Sequence, residues 1–257
     1  MCGSYSLKLM ADQNKRRNLV ERSRLAEEAE RWDDMVGFMK TLVQQGRDLS
    51  VDERNLFANA YKNYVGSKRL SWRVVASIEQ QIDISNRKRD LSREYKLKIE
   101  EELKAVCQEV LQLIETFLII TIDIENKIFY MKMNGDYYRY LSEFAADSAG
   151  DHVFESAKMA YAQAYELARE NLTPAHPLRL GLVLNFSVFH YEIFESHEMA
   201  CEMARECLEL GEEDLNNLRD VSKNDSALIL QLLKDNLRLW TSEMENQAAS
   251  RGFSARF

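Results

Sequence analysis

Turn-forming residues are scarce in this sequence. Its 257 residues include 9 glycines and 2 prolines, where average usage would give about 18 and 13. The two prolines, Pro174 and Pro177, fall together in the stretch NLTPAHPL, which predicts a single loop. So few breakers favour a chain of long helices joined by few connections.

Signals for catalysis, metal binding and export are also lacking. The four cysteines form no CxxC or zinc-ligand spacing, and no GxSxG, HExxH, GxxxxGK[ST] or GxGxxG motif occurs. No apolar run has the character of a signal peptide or the length of a membrane span. We therefore expect no catalytic residue, metal site or cofactor, no membrane insertion, and a location in the cytoplasm, with the nucleus as a second compartment.

Charge limits the class of partner. The formal net charge is -8 and 46% of the residues are hydrophobic, as in a globular protein with a sizeable core. An acidic surface repels phosphate backbones, so we do not expect nucleic acid as a partner.

Apolar residues recur at helical spacing along most of the chain. Gly46 is predicted to follow a helix end as its C′ residue, and Ser50 with Glu53 predicts a capping box that opens a helical stretch to about residue 84. The clearest apolar stripe runs from Ile99 to Phe117. Only ITIDI, residues 120–124, alternates as a strand would. The pattern predicts an all-α fold, a single domain of about nine antiparallel helices.

Two pairs of cations share one spacing. Lys62 and Arg69 are seven residues apart on one predicted helix, as are Lys132 and Arg139 on another, so each pair lies on one helix face. Such pairs are usually solvated surface charge. These, however, stand among tyrosines, including Tyr140, and arginine with tyrosine suits a phosphate dianion through charge-assisted hydrogen bonds.

Two later stripes with a spacing of four mix apolar and polar side chains. The apolar members alone would fit the core faces of helices. The amides are harder to place in a core, because a buried amide needs partners, and an extended peptide backbone offers a donor and an acceptor. The residues are Leu184, Val188 and Glu192, with the adjacent Asn185, and then Leu228, Leu232, Asn236 and Trp240.

The sequence resembles the 14-3-3 family in long runs, among them RLAEEAERWDDM, ERNLFANAYKNYVGSKRLSWR, FYMKMNGDYYRYL, LRLGLVLNFSVFHYEI and DSALILQLLKDNLRLWTSE. The resemblance implies a helical domain over residues 18–244, between a flexible extension, 1–17, and a flexible tail, 245–257. It implies a cup-shaped protomer with an amphipathic groove that binds phosphoserine or phosphothreonine segments. The protein would be an adaptor that regulates signalling clients as a dimer, and not an enzyme.

The resemblance assigns a role to each candidate side chain. Cations and a tyrosine would bind the phosphate, two amides the ligand main chain, and an apolar wall its side chains. The expected phosphate-binding residues are Lys62, Arg69, Arg139 and Tyr140, and the expected peptide-binding residues are Lys132, Leu184, Asn185, Val188, Glu192, Leu228, Ile229, Leu232, Asn236 and Trp240.

Partners and dimerisation follow from the same resemblance. The expected partners are phosphorylated proteins and a second copy of the chain, with heterodimers left open. The alternative is a helical scaffold that binds unmodified partners through the groove or the dimer surface. The expected interface residues are Glu30, Arg31 and Asp34 on one protomer and Tyr95, Lys98 and Glu102 on the other.

Three departures from the family pattern stand out. Leu70 replaces a serine, whereas Ser71, the position tied to phosphorylation at the dimer interface, remains. His190 stands where a tyrosine is common. Where the family usually has a polar, proline-containing loop, this chain has ITIDIENK, residues 120–127, which would either extend a helix or form an apolar ridge.

The tail carries one more hypothesis. Arg251 lies three residues before Ser254, the pattern of a site for a basophilic kinase and of a ligand for this family. A short disordered basic end is the simpler interpretation. The sharper hypothesis is that phosphorylated Ser254 occupies a groove, either its own or that of a neighbouring molecule.

Overall fold

The computed structural model describes residues 2–144, 148–217 and 223–254. Within those ranges the chain forms nine α-helices and no strand, which confirms the predicted all-α class. A π-helical turn, Ile114–Leu118, follows the fourth helix. The helices are α1 Cys2–Glu28, α2 Trp32–Val43, α3 Val51–Glu79, α4 Asn86–Leu113, α5 Ile124–Ser142, α6 Ser148–Asn171, α7 Pro177–Glu192, α8 His197–Asn217 and α9 Lys223–Ser254.

The first of two compact units, Met1–Thr121, contains α1 to α4. α3 begins with the predicted capping box: the Glu53 amide donates to the Ser50 hydroxyl, and the Ser50 amide donates to the Glu53 carboxylate. Arg16 of α1 donates to the same carboxylate at 2.7 and 2.8 Å, so the start of α3 is tied to α1. Inside this unit, Phe57 and Tyr61 of α3 are fully buried.

The second unit, Ile122–Phe257, contains α5 to α9. Its apolar core includes Tyr161 and small alanines of α6, which let neighbouring helices approach closely. At Gly135 of α5 the two helices lie close together, because a Cβ there would lie 2.5 Å from the ring of Tyr161. α5 and α6 run antiparallel, since the start of α5 meets the end of α6.

Several boundaries differ from the sequence expectation. α3 ends at Glu79, where a helix to about residue 84 was expected. Residues 119–123 separate the π-helical turn from α5, and ITIDI forms no strand, because its last residue, Ile124, is the first residue of α5. The Asp123 carboxylate caps α5 by accepting a hydrogen bond from the Asn126 amide at 2.7 Å. The two predicted flexible ends contribute to α1 and α9, and their flexibility stays a prediction. Within the described ranges, every helix is too short or too polar to cross a membrane.

Candidate functional site

One face of α5 carries three charged side chains in two turns. Lys132, Asp136 and Arg139 are spaced by four and three residues, so all three project to the same side of the helix. Asp136 and Arg139 are buried, 7% and 8% exposed, and Lys132 is half-buried. Buried charges of this kind require partners, because an unpaired ion in a protein interior is strongly destabilising.

The Asp136 carboxylate accepts hydrogen bonds from three helices. Lys132 of α5 donates at 2.8 Å, the Tyr161 hydroxyl of α6 at 2.6 Å, and the Asn185 side-chain amide of α7 at 2.7 Å. The Arg139 guanidinium lies 4.0 Å from the same carboxylate. Asp136 therefore fixes two cations and one amide that the sequence predicted as ligand-binding groups.

Electrostatics keep this carboxylate ionised. Burial alone would raise the pKa of Asp136, but the charges of Lys132 and Arg139, with hydrogen bonds from Lys132 and Tyr161, hold its pKa below the ordinary aspartate value. The carboxylate therefore remains an acceptor-only anion at neutral pH, and it orients the Nδ2 group of Asn185 toward itself. The Asn185 oxygen is then the end of the amide that is suited to accept a ligand N–H.

Arg139 is fixed on several sides. Its Nε donates to the Tyr161 hydroxyl at 3.2 Å, its guanidinium lies 3.8 Å from the Glu143 carboxylate, and the Tyr140 ring centroid is 4.8 Å away. Burial opposes its charge, yet the neighbouring Tyr161, Tyr140 and Asp136 raise the pKa of Arg139 above its ordinary value. The result is a permanently charged guanidinium with little conformational entropy left to lose on binding.

The other predicted phosphate-binding cations belong to the first unit. Lys62 is exposed on α3 and Arg69 is half-buried on the same helix, two turns further on. Nearby, Lys68 pairs with Glu102 of α4 at 2.6 Å and lies 4.9 Å from the Tyr64 ring centroid. Each cation pair thus occupies a single helix face, as predicted from its spacing.

Apart from the buried Trp240, the predicted peptide-binding residues are exposed or half-buried. Leu228 and Leu232 of α9 are 63% and 45% exposed, although both are apolar. They form an unpartnered apolar stripe suited to the side chains of a bound segment. Glu192 is exposed as well, and the half-buried members are Leu184, Asn185 and Val188 of α7 and Ile229 and Asn236 of α9.

Trp240, predicted to orient a peptide, is itself held by a neighbour. It is 4% exposed, and the Tyr191 ring stacks on it at a centroid distance of 4.7 Å and an interplanar angle of 12°. The Tyr191 hydroxyl donates to Glu243 at 2.7 Å, which links α7 to α9. Burial and the Glu243 carboxylate raise the pKa of Tyr191 to about 12, so the hydroxyl stays protonated and can donate.

The predicted dimer residues lie in the first unit, and three of them, Arg31, Asp34 and Glu102, have partners within the chain. Arg31 pairs with its neighbour Asp34, and Glu102 pairs with Lys68. Glu30 is exposed and has a left-handed φ of 52° between α1 and α2. Tyr95 and Lys98 line a groove of about 590 Å³ between α3 and α4, together with Val75, Ile78, Lys88, Leu91, Ser92 and Glu94.

A family model described as 14-3-3 protein matches residues 22–241 of the chain. The chain belongs to the 14-3-3 family. It is 49% identical to the 14-3-3-like protein 1 of Caenorhabditis elegans over 227 residues, which are 88% of this chain and 91% of that protein. Its identity is 47% to both 14-3-3 protein beta/alpha of Gallus gallus and 14-3-3 protein zeta of Xenopus laevis, in each case over 235 residues, 91% of this chain and 96% of the relative.

Membership settles the broad class of activity. 14-3-3 proteins are adaptors that bind partner proteins, and they are not enzymes, so this chain is an adaptor. In the described ranges, no three histidine, cysteine or acidic side chains are grouped as metal ligands would be. His190 is instead packed against the Phe186 ring, at a centroid distance of 4.6 Å, and burial together with Lys158 lowers its pKa.

Three supporting residues escaped the sequence analysis. Asp136 had a detectable signal, because a carboxylate four residues after Lys132 and three before Arg139 shares their helix face. Tyr161 and Tyr191 had none, since their partners Asp136 and Trp240 lie 25 and 49 residues away along the chain. Such contacts depend on how helices pack, which spacing within one helix does not encode.

Proposed function

We propose that the chain binds phosphoserine- or phosphothreonine-containing segments of partner proteins, and that Lys62, Arg69, Arg139 and Tyr140 bind the phosphate. The observation that carries the proposal is the fixed guanidinium of Arg139, buried to 8% exposure and bonded to Tyr161. A guanidinium held this way can give parallel hydrogen bonds to phosphate oxygens without first being ordered. The participation of Lys62 and Arg69 rests on the family resemblance.

Charge balance favours a dianion. On α5, the carboxylates Asp136 and Glu143 balance the charges of Lys132 and Arg139. With Lys62 and Arg69, which only the family resemblance adds to this site, the proposed site would carry two excess positive charges. A phosphorylated side chain carries about -1.5 to -2 charges at neutral pH. An unmodified serine would leave the excess positive charge uncompensated, so the modification would decide binding.

The rest of the ligand would lie along α7 and α9 of the second unit. Asn185 and Asn236 supply amides for an extended main chain, and Glu192 and Trp240 help to orient it. Leu228 and Leu232, both exposed, supply apolar contact. Because an extended segment presents one donor and one acceptor per residue, two amides are enough to set its register.

We further propose that the protein acts as a dimer in the cytoplasm and nucleus. The largely apolar groove between α3 and α4, of about 590 Å³, contains the predicted interface residues Tyr95 and Lys98. A second copy would cover this groove. Arg31 and Glu102, which pair with Asp34 and Lys68 within the chain, would then also pair with residues of the second copy. Two sites in one dimer would raise the avidity for doubly phosphorylated partners by about 10²-fold or more.

The proposal is tested by titrating one peptide, with arginine three residues before its serine, in phosphorylated and unmodified forms. We expect the phosphorylated form to bind about 100-fold more tightly, since a phosphate adds one to three charge-assisted hydrogen bonds. Arg69→Ala should remove most of that difference. Arg205→Ala, which removes an exposed arginine of α8, is the matched control and should leave both affinities unchanged.

Equal affinities for the two peptides would support the alternative, a helical scaffold that binds unmodified partners. Failure of Arg69→Ala to lower the affinity would contradict the assigned pocket while leaving phosphate dependence intact. The comparison of the two peptides therefore tests whether binding requires a phosphate, and the comparison of the parent with Arg69→Ala tests where the phosphate binds.

The tail hypothesis stays a proposal. α9 continues to Ser254, the serine side chain lies outside the described part of the structure, and residues 255–257 are not described. A tail bound as an extended ligand would have to leave the helix first, which costs backbone hydrogen bonds. If phosphorylated Ser254 occupies a groove, deleting residues 248–257 from the phosphorylated protein should raise its affinity for the phosphopeptide; an unchanged affinity would refute the hypothesis.

A further inference from the structure

A second groove lies between α5 and α6. It has a volume of about 440 Å³, and its lining is mainly apolar: Met131 and the stem of Lys127 from α5, and Ala162 and Leu167 from α6. Glu166 and Glu170 of α6, also in the lining, are exposed and form an acidic rim. Volumes of this size are typical of sites that receive side chains of a ligand.

The groove is continued by exposed isoleucines. Ile124, Lys127 and Met131 follow one another at three and four residues, so Ile124 extends the groove-lining stripe at the start of α5. Ile124 is 42% exposed, and Ile122, just before the Asp123 cap, is 93% exposed. Isolated apolar side chains on a surface are ordinary, but a run that leads into an apolar groove is typical of an interaction surface.

This surface differs from the phosphate-binding face of α5. At 100° per residue, the stripe of Ile124, Lys127 and Met131 lies about a third of a turn around the helix from that of Lys132, Asp136 and Arg139. Asp136 and Arg139 are buried, whereas Ile124 is open to solvent. A ligand of the groove would therefore not have to displace the hydrogen bonds of Asp136.

We propose that this α5–α6 groove is a docking surface for an amphipathic helix of a partner protein, with apolar residues at helical spacing and lysine or arginine along one flank. The apolar residues would fill the groove and cover Ile122 and Ile124. The basic flank would face Glu166 and Glu170. Recognition of this kind, a helix laid in a groove, depends on the partner's apolar spacing and not on a phosphate.

Charge decides between this occupant and a second copy of the chain. A two-fold contact between two such grooves would gather four rim carboxylates against only the two Lys127 ammonium groups of the lining, in a protein that already carries a net charge of -8. Arg169 lies 3.9 Å from Glu166, but both side chains are about half exposed or more, so their pairing is weak. A partner helix with a basic flank would be attracted to Glu166 and Glu170, so it avoids the repulsion between carboxylates that a second copy would add.

The test uses a labelled model helix of leucine and lysine, with leucines at helical spacing, and follows its fluorescence anisotropy with the full-length protein. We expect saturable binding that weakens about 10-fold in the double variant Ile122→Ser/Ile124→Ser and by a similar factor in Glu166→Lys/Glu170→Lys. Ile82→Ser is the matched control, because Ile82 is 92% exposed but lies in the loop between α3 and α4. It should leave the affinity unchanged.

Three further measurements complete the design. A helix with glutamate in place of lysine should bind at least about 10-fold more weakly, and saturating phosphopeptide should not compete with the leucine–lysine helix. Equal affinities of the parent and both double variants, or competition by the phosphopeptide, would overturn the proposal. The last measurement is sedimentation of the protein without any added helix. If the parent protein assembled beyond the dimer and Ile122→Ser/Ile124→Ser abolished this assembly, the surface would belong to a contact with a second copy. The proposed occupant would then be wrong.

Discussion

The two cation pairs have the same seven-residue spacing and different surroundings. On α5, Lys132 and Arg139 flank the buried carboxylate of Asp136, which also accepts from Tyr161 and Asn185. On α3, Lys62 is exposed and Arg69 is half-buried. One pair is part of a buried network, and the other lies on a helix surface.

The difference teaches that equal spacing does not imply equal energetic roles. Removing a member of the α5 network leaves a buried charge or donor without its partner, so folding and binding change together. Removing Lys62 leaves the interior unchanged, so only binding should respond. The α5 half of the proposed pocket is organised by the fold itself, and the ligand is not needed to assemble it.

The largest effect should come from the acceptor at the centre of the α5 network. Asp136→Asn removes the negative charge between Lys132 and Arg139, and we expect it to lower the free energy of unfolding by about 3 to 5 kcal/mol at pH 7. Urea unfolding measures this loss. Asp235→Asn, which alters an exposed carboxylate of α9, is the control and should change stability by less than about 0.5 kcal/mol.

The same variant has a defined pH dependence. Because the folded-state pKa of Asp136 lies below the unfolded value of about 3.9, its contribution is complete above that value and is lost as the pH falls through the folded-state pKa. The stability gap between the parent and Asp136→Asn should therefore narrow below about pH 4. A gap that stayed constant down to pH 2 would show that Asp136 does not stabilise the fold as a carboxylate.

The second-largest effect on stability should come from alanine substitution of one glycine in each of the two helices. A Cβ on Gly135 of α5 would lie 2.5 Å from the buried Tyr161 ring, whereas a Cβ on Gly66 of α3 would meet no atom within 4 Å. Gly135→Ala should cost about 1 to 3 kcal/mol through overpacking. Gly66→Ala should stabilise the protein by about 0.5 to 1 kcal/mol, because alanine favours a helix interior. Thermal unfolding of both variants checks the opposite signs.

Features set by local chemistry could be predicted from the sequence. The Ser50–Glu53 capping box and the shared faces of both cation pairs depend on residues a few positions apart, and the structure has both features. The predicted proline loop is shorter than NLTPAHPL, because Pro177 is the first residue of α7 and only Pro174 lies between α6 and α7. Gly46 shows the limit of this precision: it has the left-handed φ of 69° expected after α2, but two residues beyond the C-cap, Gln44, where a position directly after the cap was predicted.

Features set by contacts between helices could not be predicted. Asp136 is buried because α6 and α7 bring Tyr161 and Asn185 to it. The burial of Trp240 beneath Tyr191 likewise depends on the packing of α9 against α7. The roles of Lys62, Arg69 and the dimer residues stay predictions, since they rest on the family resemblance and require a ligand or a second copy to test.

The smallest effect on stability is the most direct test of the comparison between α3 and α5. Lys62→Ala should leave the free energy of unfolding within about 0.5 kcal/mol of the parent, because Lys62 is exposed. Lys132→Ala should cost about 1 to 2 kcal/mol, because Asp136 loses one donor but keeps those of Tyr161 and Asn185.

Phosphopeptide affinity completes that test. Lys62→Ala should weaken binding about 10-fold or more, the value of one charged hydrogen bond to the phosphate. If Lys62→Ala destabilised the fold as much as Lys132→Ala, the α3 pair would also belong to a buried network, and the distinction between the two helices would be lost. If Lys62→Ala changed neither stability nor affinity, Lys62 would be ordinary surface charge, and the phosphate would depend on the remaining cations alone.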